Sequence, residues 1–151
     1  MCKRLNKEDF SSLPAWGEYI GTYAESRFIE ECAKRNILCL KAPLLSRYDF
    51  VIEIDKMFYK VQVKGSSLLK GRKVHAARAS SYDAKTNSRV RYKKEDVDYF
   101  AYYLVENDEM YLVPSNVILK RDRDVVAVFD KTLYKGRSTQ SAINISKYRE
   151  W

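Results

Sequence analysis

Apolar residues recur at every fourth position near the start of the chain, which is the spacing of one face of an α-helix. The repeating residues are Ile20, Ala24, Phe28 and Cys32, and the stripe is widened by Tyr23, Ile29 and Ala33. Ser12 precedes Pro14 and is a suitable N-cap, because its hydroxyl oxygen accepts a hydrogen bond from a free amide of the first turn. The pattern predicts an amphipathic helix from about Ser12 to about Arg35.

The hydrophobic period changes to two after this helix. Phe50, Ile52 and Ile54 alternate with polar residues, and residues 58–64 alternate again. The turn at 55–57 is short enough for these two strands to form an antiparallel hairpin. Further short apolar runs predict strands at 37–42, 97–105, 110–113 and 125–129. A helix followed by a strand meander indicates a mixed α/β domain.

Polar residues near the open end of the predicted hairpin form a candidate site. Asp49 opens the first strand, and Gln62 and Lys64 share a face of the second because they lie two residues apart. Paired strands would bring a carboxylate, an amide oxygen and an ammonium together. Hard cations such as Mg²⁺ prefer these oxygen ligands, and such an ion supports phosphodiester hydrolysis. Glu25, beside the apolar stripe, is the second candidate carboxylate, and Glu18 is its alternative.

Each candidate also has an ordinary structural interpretation. Asp49 could cap a turn at the strand start. Gln62 could be an exposed strand residue, and Lys64 an ordinary surface lysine. Glu53 shares a face with Asp49, and we interpret it, like Asp98, either as structural or as a residue that supports the ligands of the site.

A basic segment, residues 66–94, interrupts the regular pattern. Lys and Arg crowd it against a single acid, Asp83, so it should pack little core of its own. A basic hairpin can enter the major groove, where Arg reads guanine and Lys holds phosphates. A disordered basic loop is the alternative. The residues expected to contact DNA are Lys70, Arg72, Lys73, His75, Arg78, Arg89, Arg91 and Lys93.

The composition narrows the possible chemistry. Lys and Arg number 28 against 20 acidic residues, a net charge of +8 that favours polyanionic partners. The single histidine, His75, excludes multi-histidine metal sites, and excludes Ser-His-Asp catalysis unless it serves itself. Three cysteines without metal-ligand spacing read as reduced thiols. The charged start and the lack of an apolar run of about 20 residues predict a cytoplasmic protein without a membrane partner.

Three stretches of the chain carry a family resemblance. Gly21-Thr-Tyr-Ala-Glu25, Tyr48-Asp49 and Gln62-Val-Lys64 resemble the PD-(D/E)XK nuclease superfamily, and more narrowly its bacterial group I intron-encoded homing endonucleases. The segments 96–105 and 111–114 also fit that subgroup, so the resemblance covers residues 17 to about 116. Tyr48 replaces the proline of the family name. Gln62 replaces the usual acid, which lowers the charge of the site and should weaken one metal position.

The resemblance implies a restriction-endonuclease-like α/β core, a central mixed β-sheet flanked by helices, with a basic DNA-contacting hairpin or arm. One nuclease domain would span residues 1–151, with its core at about 14–116, a basic insertion at 66–94 and a C-terminal extension at 117–151. It implies Mg²⁺, replaceable by Mn²⁺, and sequence-specific cleavage of double-stranded DNA by a homodimer or homotetramer. The implied metal ligands are Glu25, Asp49, Gln62 and the Val63 carbonyl, and Lys64 would help to generate hydroxide.

Other functions fit the same residues. A Holliday junction resolvase or a restriction-type endonuclease would share the core and differ in DNA substrate. A DNA-binding module with an inactive nuclease core would bind without cutting. An RNA-binding protein of ribosomal type would keep its function after the Asp49→Ala substitution.

Overall fold

The computed structural model describes residues 16–68, 75–83, 85–120, 126–128 and 142–151. The predicted N-cap at Ser12 lies outside these ranges. In chain order the elements are α1 (Trp16–Lys34), β1 (Leu38–Lys41), β2 (Phe50–Ile54), β3 (Met57–Ser66), β4 (Ala76–Arg78), β5 (Ser80–Asp83), β6 (Ser88–Arg91), β7 (Tyr99–Leu104), β8 (Glu109–Pro114), α2 (Ser115–Ile118), β9 (Val126–Val128), β10 (Ala142–Asn144) and a 3-10 helix (Ser146–Tyr148).

Helix α1 confirms the four-residue repeat but not the wider stripe. The four repeating residues, Ile20, Ala24, Phe28 and Cys32, are all buried. The prediction that flanking residues join them is wrong for Ile29 and Ala33, because Ile29 is 48% exposed and Ala33 is exposed. Tyr23 is 39% exposed, yet its ring packs edge-on against the buried Tyr103, with the centroids 5.6 Å apart.

The central sheet has five strands in the order β1-β2-β3-β7-β8. Every neighbouring pair is antiparallel except β3 and β7, which run parallel. The sheet is therefore mixed, as the resemblance implies. β7 and β8 are buried on both faces, which explains their continuous apolar sequences.

The hairpin of β2 and β3 forms in the predicted place. Ile54 pairs with Met57, so the connecting turn contains only Asp55 and Lys56. Both turn residues have positive φ, 52° and 64°. That conformation matches the twist of the flanking strands in a two-residue hairpin turn. The register places Phe50 opposite Val61.

The described residues form two hydrophobic clusters, and strand β7 contributes to both. The cluster that includes α1 contains Ala24, Phe28, Cys32, Phe50, Ile52, Val61, Val63, Ala101, Tyr103, Met110 and Leu112. The other contains Ala79, Tyr92, Val97, Phe100, Tyr102, Leu104, Tyr111, Val113, Ile118, Leu119, Ala127 and Ile145. Alternate residues of β7 thus enter alternate clusters, because successive side chains of a strand point to opposite faces.

Gly65 allows α1 to approach β3 closely. A Cβ at this position would lie 2.9 Å from the backbone oxygen of Ile20 and 3.2 Å from the Cβ of Ala24. Any larger residue would therefore push the helix away from the strand. The close approach fixes how far Glu25 on the helix lies from the end of β3.

The basic segment contributes more to the fold than its sequence predicts. β4 pairs with β9 in a second sheet that also contains β10, and β5 and β6 form a two-stranded hairpin. Ala79 comes just before β5 and Tyr92 just after β6, so that both lie at the open end of this hairpin, and both are buried. The expectation that the segment packs little core is wrong for these residues, because a few well-placed apolar side chains suffice without a regular pattern. In the part of the chain described, no helix is both long and apolar enough to cross a membrane.

Candidate active site

Asp49 lies at the entrance of β2 and is fixed by its own backbone. Its amide donates a hydrogen bond to the Val61 carbonyl at 2.9 Å, and its carbonyl accepts one from the Ala42 amide at 2.8 Å. Its side-chain Oδ2 accepts a further bond from the Val63 amide at 2.8 Å and another from the Gln62 side chain. The hairpin register therefore brings the Asp49 carboxylate to the Gln62–Val63 peptide.

The side-chain amide nitrogen of Gln62 lies between two oxygens, one of Asp49 and one of Val63. This nitrogen, Nε2, donates to Asp49 Oδ2 and lies 3.3 Å from the Val63 carbonyl oxygen. The side chain is only 9% exposed. Since both oxygens reach one positively polarised nitrogen, both would also reach a small cation near that point. A 180° rotation of the amide would turn Oε1 toward that point.

The donor set fits a hard cation with few charged ligands. Among the described residues, no group of three or more His, Cys, Asp or Glu side chains is placed to hold a metal. A cation at Asp49 would therefore depend on neutral oxygens, such as the Gln62 amide and the Val63 carbonyl, in addition to carboxylates. Mg²⁺ commonly takes one or two protein carboxylates and fills its remaining positions with water.

Glu25 lies near Asp49 and is paired with a lysine. Burial raises the pKa of the Asp49 carboxyl, and the nearby Glu25 charge raises that pKa further. The Val63 amide and the cations of Lys64 and Lys41 act in the opposite direction. The Glu25 carboxylate forms an ion pair with Lys41 on β1. The alternative acid, Glu18, is exposed near the start of α1.

Lys64 points toward the basic hairpin, which we define as β5 and β6. Its Nζ donates to the Ser80 carbonyl at 3.3 Å and lies 5.2 Å from the centroid of the Tyr92 ring. Its charge lowers the pKa of Asp49, so the two groups interact electrostatically. The structure therefore brings Glu25, Asp49, Gln62 and Lys64 into one neighbourhood.

Arg47 is a second cation at this site that the sequence did not single out. Its guanidinium donates to Ser81 Oγ at 3.1 Å and to the Arg91 carbonyl at 3.2 Å. It also lies 4.6 Å from the Tyr92 ring centroid. A groove of about 620 Å³ opens beside it, between the basic hairpin and residues 45–47. Lys41, Arg47 and Tyr92 have no sequence signal, because their partners lie far away along the chain.

Most of the expected DNA-contacting residues that the structure describes are accessible. Arg78, Arg89 and Lys93 are exposed, and Arg91 is half-buried. Three others, Lys70, Arg72 and Lys73, lie outside the described residues.

His75 is the exception, because it is buried rather than at the surface. Its Nδ1 lies 3.2 Å from Ser66 Oγ, and its Nε2 lies 3.5 Å from Glu106 Oε2. These contacts hold the ring between the end of β3 and the β7–β8 turn. The expectation that His75 contacts DNA is therefore corrected.

Comparisons with known proteins show the family and the fold of the chain. A family model described as PD-(D/E)XK endonuclease matches residues 19–150. The structure of a bacterial homing endonuclease, I-Ssp6803I, is similar with a TM-score of 0.63 and 20% identity, over 82% of this chain and 85% of that chain. The Holliday junction resolvase Hjc of Archaeoglobus fulgidus aligns with a TM-score of 0.48 and 16% identity, over 70% of this chain and 81% of that one. A search of curated proteins gives no significant match.

The structural likeness at 20% identity shows a shared fold. The family match extends beyond the segment in which the sequence motifs were found, to residue 150. It confirms the resemblance read from the stretches around Glu25, Asp49 and Lys64. The chain belongs to the PD-(D/E)XK endonuclease family and is a nuclease of that type.

Proposed function

We propose that this nuclease is a sequence-specific, Mg²⁺-dependent endonuclease that cuts double-stranded DNA, with intron homing as its role. One observation carries the proposal: the Asp49 carboxylate and the Val63 carbonyl face the same Gln62 atom, beside Lys64. The fold shared with a bacterial homing endonuclease supports the choice of substrate. The whole chain would act as one nuclease domain.

The residues that would hold the ion are Asp49, Glu25, Gln62 and the Val63 carbonyl. Bound Mg²⁺, or Mn²⁺ in its place, would neutralise charge on the phosphate under attack and acidify a water. Asp49 supplies the charge at the centre of this set, where burial already raises its pKa. Glu25 would exchange its ion pair with Lys41 for the metal.

Lys64 is the cation proposed to assist the attack of water on the phosphate. Its ammonium is held by the Ser80 carbonyl and lies against the Tyr92 ring, on the side of the site that faces the basic hairpin. From there it would orient the attacking water or hold a phosphate oxygen in place. Both tasks require a fixed cation close to the ion site.

DNA would lie along the basic hairpin. On its strand β6, Arg89 is exposed and Arg91 is half-buried; Lys93 is exposed two residues after that strand, and Arg78 is exposed on the preceding strand β4. Lys70, Arg72 and Lys73 would add to this surface. If several of these cations neutralise phosphates, DNA affinity falls steeply with added salt.

Cutting both DNA strands in one binding event is simplest with two active sites. A homodimer or homotetramer would supply them by symmetry, one for each strand. The enzyme would act on chromosomal DNA in the bacterial cytoplasm.

The proposal is tested by Asp49→Asn in parallel with Asp55→Asn, a control carboxylate in the β2–β3 turn. Asparagine keeps the shape of Asp49 and can accept the Val63 amide bond, but it removes the charge for a cation. With Mg²⁺ and a plasmid library carrying genomic inserts, we expect Asp49→Asn to lose at least about 100-fold in cleavage rate while DNA binding persists. Asp55→Asn should cut at a discrete site like the unsubstituted enzyme.

Other results would redirect or refute the proposal. Wild-type cleavage by Asp49→Asn would refute the site. Preferential cutting of four-way junctions would indicate a resolvase. Binding without any cutting by the unsubstituted protein, in Mg²⁺ or Mn²⁺, would indicate a module with an inactive core.

A further inference from the structure

Tyr92 lies at the contact between the proposed active site and the basic hairpin. It follows β6 directly and is only 5% exposed. Its ring is held edge-on against Phe100 of β7, with the centroids 5.4 Å apart and the planes at 80°. An aromatic ring packed in this way against the central sheet has a fixed position.

Two cations lie against this one ring. Lys64 Nζ is 5.2 Å from the centroid, and the Arg47 guanidinium carbon is 4.6 Å from it. Two like charges against one ring repel each other, and Asp96, whose Oδ2 lies 3.6 Å from Arg47 Nε, pairs with only one of them. The negative face of the tyrosine ring attracts each of them and so offsets part of that repulsion.

The same two cations also bind the basic hairpin. Lys64 donates to the Ser80 carbonyl, and Arg47 reaches both strands through Ser81 Oγ and the Arg91 carbonyl. Arg47 lies two residues before the Asp49 carboxylate in the sequence. Hydrogen bonds from Arg47 and Lys64 thus attach the hairpin to the site. In the sequence, Arg47 precedes Asp49 and Lys64 follows Gln62.

We propose that Tyr92 is a positioning residue, which holds the Lys64 ammonium in its working place and transmits the position of the DNA-bound hairpin to it. The inference rests on the proposed role of Lys64. Tyr92 is only 5% exposed and is not one of the proposed metal ligands, although its hydroxyl lies within electrostatic reach of the Asp49 carboxylate. It acts through Lys64, and Arg47 connects it to the hairpin by hydrogen bonds.

The test compares Tyr92→Leu with Tyr92→Phe, and uses Tyr111→Leu as a control. Tyr111 is buried in the same hydrophobic cluster, and its hydroxyl donates to Glu109 rather than serving the site. Each variant is assayed for cleavage in a single turnover with saturating DNA and Mg²⁺, and for DNA affinity with Ca²⁺ in place of Mg²⁺. Thermal unfolding reports how much of each change is structural.

We expect Tyr92→Leu to lower the cleavage rate about 10- to 100-fold, the effect of misplacing a catalytic group by roughly 1 Å. DNA affinity should change by less than about threefold, since the Tyr92 side chain is buried. Tyr92→Phe, which keeps the ring, should restore most of the rate. Tyr111→Leu should lower stability and leave the single-turnover rate of the folded enzyme unchanged. Equal rates for Tyr92→Leu and the unsubstituted enzyme would overturn the inference, as would a rate loss of the same size in Tyr111→Leu.

A second measurement needs no destabilised variant. Protons of the Lys64 side chain next to the Tyr92 ring should resonate upfield of ordinary lysine values, with Lys64→Met used to assign them. Ordinary shifts in the folded protein would overturn the contact. If Lys64→Met abolishes cutting but Tyr92→Leu does not, the inference fails and the proposed function stands. If the unsubstituted protein cuts no DNA, the proposed function fails, and the shifts still report the contact.

Discussion

Replacing Gln62 by glutamate would show whether this side chain and Asp49 share a cation. The Gln62 amide nitrogen now donates to Asp49 and faces the Val63 carbonyl. Gln62→Glu would place a second carboxylate against Asp49, whose pKa is already raised by burial. Without metal the two charges repel, and with metal both become ligands.

The size of this repulsion follows from the contact. Two unit charges about 4 Å apart interact by about 4 kcal/mol at an effective dielectric constant of about 20. The repulsion would also disappear if one of the two carboxylates were protonated. At pH 7 and from an ordinary carboxyl pKa, that protonation costs roughly 3–4 kcal/mol, so the loss of unfolding free energy has a similar upper limit. Because Asp49 is partly exposed, screening should reduce the loss of unfolding free energy to about 1–3 kcal/mol. For a chain of this length that is a fall in Tm of about 3–9 °C.

The assay is thermal unfolding in EDTA and across a Mg²⁺ titration at pH 7, with calorimetry for the metal Kd. We expect Gln62→Glu to melt lower in EDTA, to recover its stability in Mg²⁺, and to bind Mg²⁺ about 10- to 100-fold more tightly. Gln62→Met, a control of similar length without charge, should lose stability that Mg²⁺ does not restore. If Gln62→Glu has the unsubstituted protein's Tm in EDTA and the same Mg²⁺ dependence, the two side chains do not face one cation.

Three further outcomes follow from individual contacts. Gly65→Ala should lower the unfolding free energy by about 1–3 kcal/mol, because its Cβ would meet helix backbone at 2.9 Å. Gly21→Ala, whose Cβ would have no described atom within 4 Å, should raise the unfolding free energy by about 1 kcal/mol. Urea unfolding measures both variants, and an unchanged unfolding free energy for Gly65→Ala would contradict the close packing. The hydrogen bond from Arg35 lowers the pKa of Glu31, so that its stabilising effect is present above the ordinary carboxyl pKa and is lost as pH falls through the lowered value. Glu31→Gln should therefore cost about 0.5 kcal/mol at pH 7 and progressively less as the solution is made more acidic, and a cost that does not change with pH would contradict this. Lys41→Met should reduce the Mg²⁺ concentration for half-maximal cleavage about two- to fivefold, because the helix carboxylate loses its competing ion pair, and an increased Mg²⁺ requirement in the cleavage titration would refute that reasoning.

The predictable parts of the fold are those in which a local period reports burial. The four-residue repeat ending at Cys32 marks the buried face of α1, and the alternation from Phe50 to Ile54 marks β2. The hairpin was predictable for the same reason, since its register needs only a short turn between two alternating segments. That register carries Asp49 to Gln62, 13 residues away, so their meeting was predictable too.

The rest depends on contacts between distant parts of the chain. The ion pair of Lys41 with Glu25 forms because α1 packs beside β1, and no spacing in the sequence predicts it. Arg47 bonds to residues 34 and 44 positions away for the same reason. His75 illustrates the opposite error: a polar residue in a basic stretch looked exposed, but Glu106 and Ser66 provide polar contacts that let it be buried. The roles of the basic residues in DNA contact stay predictions.

The two-residue turn at Asp55 and Lys56 also has a consequence for how the site assembles during folding. A hairpin this short closes in about 1–10 μs, long before elements distant in the chain find one another. Isolated hairpins are only marginally stable, so this one would form and melt repeatedly until the helix packs over Gly65. The Asp49–Gln62 pair would thus exist transiently in chains that are still largely unfolded, and Glu25 would complete it last. A divalent ion present during refolding would meet a partial binding site early, so it would speed the folding reaction as well as slow its reversal.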